Sequence, residues 1–242
     1  MCGRYTLIAN AEAIRLLFKL PPFDERLVVP RYNIAPTQPI AIVRQGRKGR
    51  ELVPVRWGLI PNWAKDPNLQ SLLINARAEG LAERPAFRGA FRYRRCLVPA
   101  SGFYEWQARG KGPKQPFSVR PAGQELIAFA GVWEDWLGAD GSEIDSAAIV
   151  TTDANDALRD IHHRMPVIID ARDFETWLSP RTHPDEAAAL LKPAPSGLLT
   201  CTPVSTRVNS ADNDDPSLLE PIAEPAQPIS EAEAEPNQMR LI

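Results

Sequence analysis

The chain has 242 residues with a formal net charge of −2, and 44% of it is hydrophobic against 24% charged, enough apolar material for an ordinary buried core. No apolar run approaches the roughly 20 residues that a membrane-spanning helix needs. The first residues do not read as a signal peptide, because Arg4, Arg15 and Lys19 interrupt the apolar stretches and no small-residue cleavage site follows.

The small net charge conceals an asymmetry. Residues 1–120 carry 21 Lys+Arg against 8 Asp+Glu, and the remainder carries 7 against 22. A near-neutral average argues against nucleic acid, but a strongly basic half does not. The competing explanation is that the two halves neutralise each other in the fold.

In chain order, Asn10 caps an expected helix that runs to about Leu20, with Ile14, Leu17 and Phe18 on one face and Pro21-Pro22 as its stop. Pro39–Val43 and Leu52–Trp57 read as strands around the polar turn Arg44–Arg50. Arg95–Pro99, Pro116–Val119, Leu126–Trp133, Ala147–Thr152 and Leu198–Val204 read as further strands. Helices are expected at Asn155–Ile161, Ala171–Leu178 and Pro184–Leu191, the second capped by Asp170. Strands outnumber helices and do not alternate with them, which predicts an α+β domain rather than a wound parallel sheet. From Ala223 the chain turns Glu-, Pro- and Ala-rich without apolar periodicity. The expected organisation is one domain over 1–222 and a disordered acidic tail over 223–242.

Three cysteines, Cys2, Cys96 and Cys201, are too few and too scattered for a disulfide framework or a zinc site, and suit a reducing cytoplasm. Cys96 and Cys201 lie in apolar strands and read as core residues. Cys2 is different, because removal of Met1 would leave it with a free α-amine and a thiol on adjacent carbons. The amine titrates near 8 and the thiol near 8.5, so both are partly nucleophilic at neutral pH. Such a pair can condense with an aldehyde to an imine that the thiol closes to a thiazolidine. It can also act as an N-terminal nucleophile on an amide. The third reading is a small residue selected only for methionine removal.

Glu105 lies between aromatics in Ser101–Trp106, where partial desolvation would raise its pKa and favour an acid or base role. His162 and His163 follow an expected helix and stand beside Arg164. Arg77, in Asn75–Glu79, suits a bidentate contact to phosphate or an internal ion pair with Glu79. Trp57 reads as core and Trp63 as exposed, and exposed aromatics among arginines would stack unpaired bases.

Taken together, these segments resemble the SOS-response-associated peptidase family, also called abasic-site processing proteins. The matching blocks are Met1–Tyr5, Arg31–Pro36, Trp57–Pro61, Ile74–Glu79, Gly102–Trp106, Ile161–Pro166 and Pro203–Ser205, in that order. The resemblance implies a single domain with a barrel-like antiparallel core and peripheral helices. It implies that Cys2 forms a covalent crosslink with abasic sites in single-stranded DNA, shielding the lesion. It carries an active-site set of Cys2, Asn75, Glu105 and His162, and DNA contacts at Arg4, Asn33, Trp63, Arg77 and Arg164. It requires no metal and no organic cofactor, and it suits a monomer with no membrane association. The alternatives are an N-terminal-nucleophile hydrolase of peptidase or amidotransferase type and a single-strand-binding module without chemistry.

Overall fold

The computed structural model describes residues 2–67, 72–110 and 112–223. The expected acidic tail lies, from residue 224 on, outside the described residues. Among the described residues the strands are β1 (Tyr5–Leu7), β2 (Arg31–Ile34), β3 (Pro39–Gly46), β4 (Gly49–Trp57), β5 (Asn75–Arg77), β6 (Arg95–Ala100), β7 (Gly102–Gln107), β8 (Gln115–Pro121), β9 (Ile127–Leu137), β10 (Glu143–Asp153), β11 (Arg164–Pro166) and β12 (Leu199–Pro203). The helices are α1 (Ala11–Phe18), α2 (Arg88–Tyr93), α3 (Phe174–Leu178) and α4 (Pro184–Ala188).

Five strands close a barrel in the order β4-β3-β6-β9-β10, with β10 returning to β4. Closure leaves these strands without a free edge. Four of the pairings are antiparallel; the closing pair, Ser146 with Arg56 and Ala147 with Trp57, is parallel. β10 extends beyond the barrel, and its end carries β5 and β11. A second, five-stranded sheet runs β12-β8-β7-β1-β2. The chain crosses from barrel to sheet at Ser101, between β6 and β7. The Ser101 hydroxyl accepts the Ile8 N–H at 3.1 Å, which ties the crossing to β1. Gly102 is required at this corner, because a Cβ there would stand 2.6 Å from the Val119 carbonyl.

The core joins the two sheets. Tyr5 packs edge-on to Trp57 at 5.4 Å and to Phe129 at 6.1 Å, and Phe103 meets Phe129 at 5.9 Å. Each pair has the geometry that the ring quadrupoles favour.

The α+β class and the barrel with peripheral helices match expectation. Asn10 caps α1 through the Ala13 N–H, and Asp170 caps the turn that leads into α3. The expected helix at Asn155–Ile161 is instead a series of turns in which bonds from i to i+3 alternate with bonds to i+4. Asn155 holds it in that form by accepting the Leu158 N–H and donating to the Ala194 carbonyl. The polar turn expected at Arg44–Arg50 is also shorter, because β3 and β4 pair as far as Gly46 and Gly49.

Candidate active site

The antiparallel register between β1 and β7 sets Tyr5 opposite Phe103 and Thr6 opposite Gly102. Continued toward the N-terminus, that register sets Gly3 opposite Glu105, and the Cys2 thiol lies close enough to feel the Glu105 charge. Cys2 is fully buried, and its thiol points to the Arg4 carbonyl at 4.0 Å. Burial, reinforced by the negative charge of Glu105, pushes the thiol pKa well above its ordinary range, so the sulfur is a neutral thiol at physiological pH.

Glu105 is 2% exposed, and burial raises its pKa to about 7. One of its carboxylate oxygens lies 4.0 Å from Nδ1 of His162. The Arg164 backbone N–H donates to that nitrogen at 2.9 Å, which leaves the proton of the neutral imidazole on Nε2. Burial lowers the His162 pKa to about 4. The ring of His163 stacks on it at 4.4 Å. At neutral pH the pair is therefore a half-titrated carboxyl beside an uncharged imidazole.

Asn75 reaches the site from β5, which is held parallel to the end of β10. Its amide donates to the Cys2 carbonyl at 2.9 Å, and its buried Oδ1 has no hydrogen-bond partner among the described residues. The four residues thus come from different parts of the fold: two from the second sheet and its N-terminal extension, one from a strand at the barrel rim, and one from the turn before β11.

The residues expected at a nucleic-acid surface divide into two groups. Arg77 is exposed and forms no ion pair among the described residues, and Trp63 is 57% exposed. Arg4 is half-buried; it donates to Asn33 Oδ1 at 3.0 Å and to the carbonyls of Val208 and Asn209, and it forms no ion pair among the described residues. Asn33 and Arg164, in contrast, are buried and engaged inside the protein. The Asn33 amide donates to carbonyls of the 208–213 segment. Arg164 is held by Glu79, Asp153 and the Thr151 carbonyl at 2.7 to 2.8 Å. Glu79 therefore pairs with Arg164, not with Arg77. Of the remaining sequence expectations, Trp57 and Cys96 are fully buried and Cys201 is half-buried.

In the sequence Thr151 is an ordinary strand former in an apolar run. It sits opposite Arg77 in the β5–β10 register, and its buried hydroxyl has no partner among the described residues. Lys114, near enough to act electrostatically on both Glu105 and His162, carried no sequence signal either. No group of three or more His, Cys, Asp or Glu among the described residues is arranged to hold a metal ion, and no described helix is long and apolar enough to cross a membrane.

A small closed barrel with a flanking sheet, and a buried cysteine at position 2 beside Asn75 and Glu105, define the class. The chain belongs to the SOS response associated peptidase (SRAP) family, whose model matches residues 1–211. It is 39% identical over 222 residues to the abasic site processing protein YoqW of Bacillus subtilis, covering 91% of this chain and 99% of that one. It is 40% identical to YoaM of the same organism, with 91% and 98% covered, and 35% identical to HMCES of Gallus gallus, with 80% and 66% covered. Both of these are also named abasic site processing proteins. The fold superposes on a solved protein of Bacteroides thetaiotaomicron with a TM-score of 0.82 at 26% identity, covering 92% of this chain and 100% of that one.

Proposed function

We propose that this protein processes abasic sites in DNA, and that it does so by joining single-stranded DNA covalently to Cys2 through a thiazolidine. The observation that carries the reading is the seating of Cys2: its carbonyl is fixed by Asn75, and Glu105 and His162 stand together beside it. The names of the relatives at 35 to 40% identity support the same reading.

An abasic deoxyribose is mostly a closed ring, and only its open form has an aldehyde at C1′. Glu105, with a pKa of about 7, holds a proton in about half of the molecules at neutral pH. It can deliver that proton to O4′ as the ring opens. Once Met1 is removed, the Cys2 amine adds to C1′, and loss of one water gives the imine. The neutral thiol then adds to the same carbon. Its proton passes to Glu105 or His162, and the former imine nitrogen keeps one hydrogen in the closed ring. One water leaves overall, and nothing is oxidised or reduced. The raised thiol pKa sets the order, because the amine reacts first and the adjacent iminium charge then assists loss of the thiol proton.

The free Oδ1 of Asn75 can accept from the amine or from the opened sugar hydroxyl. Arg4 and Arg77 hold flanking phosphates and Trp63 stacks on a base; such contacts orient the strand without reading its sequence. In this reading Asn33 and Arg164 act through their neighbours, Asn33 by fixing Arg4 and Arg164 by holding Glu79 behind Arg77. The same imine permits a lyase side reaction by β-elimination. Met1 is removed either at this site or by an aminopeptidase. Residues 1–222 form the processing domain, which acts as a monomer in the cytoplasm and is nucleoid-associated when bound to DNA.

The test is incubation with an abasic single-stranded oligonucleotide followed by a denaturing gel. Wild type is expected to give a stable adduct. Cys2→Ala is expected to lose it while keeping DNA affinity, and Cys2→Ser to give only an imine that needs reductive trapping. An undiminished adduct in Cys2→Ala overturns the reading.

A further inference from the structure

Residues 84–94 carry Arg84, Arg88, Arg92 and Arg94 without an intervening acid. The helical bonding starts before α2 itself, because the Arg88 N–H donates to the Arg84 carbonyl at 2.9 Å and the Phe91 N–H to the Phe87 carbonyl at 2.7 Å. Arg88 and Arg92 therefore fall at i and i+4 on one face of α2, about 6 Å apart along the axis, and Arg84 lies in the turn that leads into it. All three are exposed, and none has a carboxylate partner among the described residues. Their neighbours behave differently. Arg94 is paired with Glu134, and Arg95 is buried and donates to main-chain carbonyls. The row of unpaired cations is thus confined to the outward face.

Two further features lie along this row. Trp63 and Tyr93 are each 57% exposed, an unusual state for such large aromatic side chains. Three clefts run in sequence beside them. The first is lined by Arg77, Glu79, Gly80, Arg84, Asp153 and Arg164. The second includes Trp63, Pro85 and Arg88. The third includes Arg88, Arg92 and Tyr93, with the Arg92 guanidinium 5.2 Å from the Tyr93 ring centroid. Arg84 of the first cleft is the chain neighbour of Pro85 in the second, and Arg88 lines both the second and the third.

We infer that these clefts form a continuous nucleic-acid track, which leaves the candidate active site at Arg77 and carries the single-stranded flank on one side of the lesion over α2. The chemistry fits an unpaired strand. Exposed cations meet backbone phosphates, and the exposed aromatics among them offer stacking faces to bases. The track adds Arg84, Arg88, Arg92 and Tyr93 to the surface that holds DNA. It rests on the reading above, in which the DNA enters beside Cys2.

The experiment uses the full chain with Arg88→Gln and Arg92→Gln combined, both substitutions exposed and both to a good helix former. Affinity for single-stranded DNA is measured by fluorescence anisotropy over a salt series, with oligonucleotides of about 20 nucleotides whose lesion lies at the centre or near either end. Each lost phosphate contact should flatten the slope of log affinity against log salt by about 0.7, so the double variant should lose roughly 1.4. The loss is expected for central lesions and for only one of the two end placements. Arg88→Lys with Arg92→Lys keeps the charge and should retain most of the slope. An unchanged slope in the double variant, or an equal loss for both end placements, overturns the track. Failure of the wild type to crosslink any of these substrates overturns the proposed function instead, and the affinity arm still reads the track.

Discussion

Glu105 and His162 face each other at 4.0 Å with pKa values displaced in opposite directions, to about 7 and about 4, and burial is the leading cause of both shifts. Each displacement has a signed effect on stability. Between about pH 4.5 and 7 the folded state keeps a Glu105 proton that the unfolded chain has lost, so this group makes stability fall as pH rises. Between about pH 4 and 6.5 the unfolded chain holds a His162 proton that the folded state rejects, so this group makes stability rise with pH. The two slopes cancel over roughly pH 4.5 to 6.5. Glu105→Gln should expose the His162 term, giving a protein that loses stability from pH 6.5 down to 4. At pH 8 it should be more stable than wild type, by up to about 3 kcal/mol for a displacement of this size. His162→Gln should expose the opposite slope. Urea denaturation across pH 4 to 8 reads all three proteins, and parallel profiles would show that neither group is displaced. The same burial serves the chemistry, because a carboxyl near pKa 7 can both give and take a proton at neutral pH. Single-turnover adduct formation by Glu105→Gln is expected to slow by ~10²–10⁴-fold with DNA affinity nearly intact.

At the scale of elements, the site depends on short strands that have no periodicity to announce them. β1, β5 and β11 have three residues each, fewer than any alternation can mark. They exist because long strands offer partners: β10 carries both β5 and β11, and β7 carries β1. Loops are held in the same manner. Asn33, fully buried on β2, donates its amide to carbonyls of the 208–213 segment and accepts from Arg4, while Asp214 accepts the N–H groups of Tyr32 and Asn33. Asn33→Ala leaves buried carbonyls unpaired and should cost about 2–3 kcal/mol. It should also weaken DNA binding only as far as Arg4 is displaced. Equilibrium unfolding checks the first effect, and a titration with Arg4→Ala and the double variant checks the second, since additive losses would show that Asn33 does not act through Arg4.

For the whole molecule, the two halves of opposite charge neutralise each other only in part. Arg31 pairs with Asp214, Arg44 with Asp145, Arg50 with Glu175 and Arg94 with Glu134, so acid from the second half neutralises part of the basic half. Among the arginines of that half without an ion pair in the described residues, Arg77, Arg84, Arg88 and Arg92 are exposed and line clefts. The family match ends at residue 211, but the fold continues past it. Leu218 is fully buried against Tyr104, Val204 and Val208, and Ile222 donates its N–H to the Pro203 carbonyl. A chain ending at Ala211 should therefore lose about 3 kcal/mol or more, from an emptied Leu218 site and the missing Asp214 caps. A chain ending at Ala223 should unfold like the full protein. Thermal denaturation of the two truncations decides the boundary of the domain.

The sequence by itself determined the α+β class, the long barrel strands, the Asn10 and Asp170 caps, the burial of Trp57 and the exposure of Trp63. These follow from local pattern: apolar runs bounded by turn residues, and short polar side chains where backbone donors need partners. Cys2, Glu105 and His162 were legible as residue types suited to chemistry, whereas Asn75 and the grouping of the four came only from the family resemblance, because no local pattern carries their convergence. They are brought together by the register of β1 on β7 and by the far end of β10, pairings between residues distant in the chain. Arg164 shows the limit most plainly: an arginine beside two histidines reads as a free cation, yet tertiary contacts place it against Glu79 and Asp153. Whether a charged side chain is spent inside the protein or left facing solvent depends on which distant groups the closed barrel brings within a few ångströms, and no local window of sequence carries that distance.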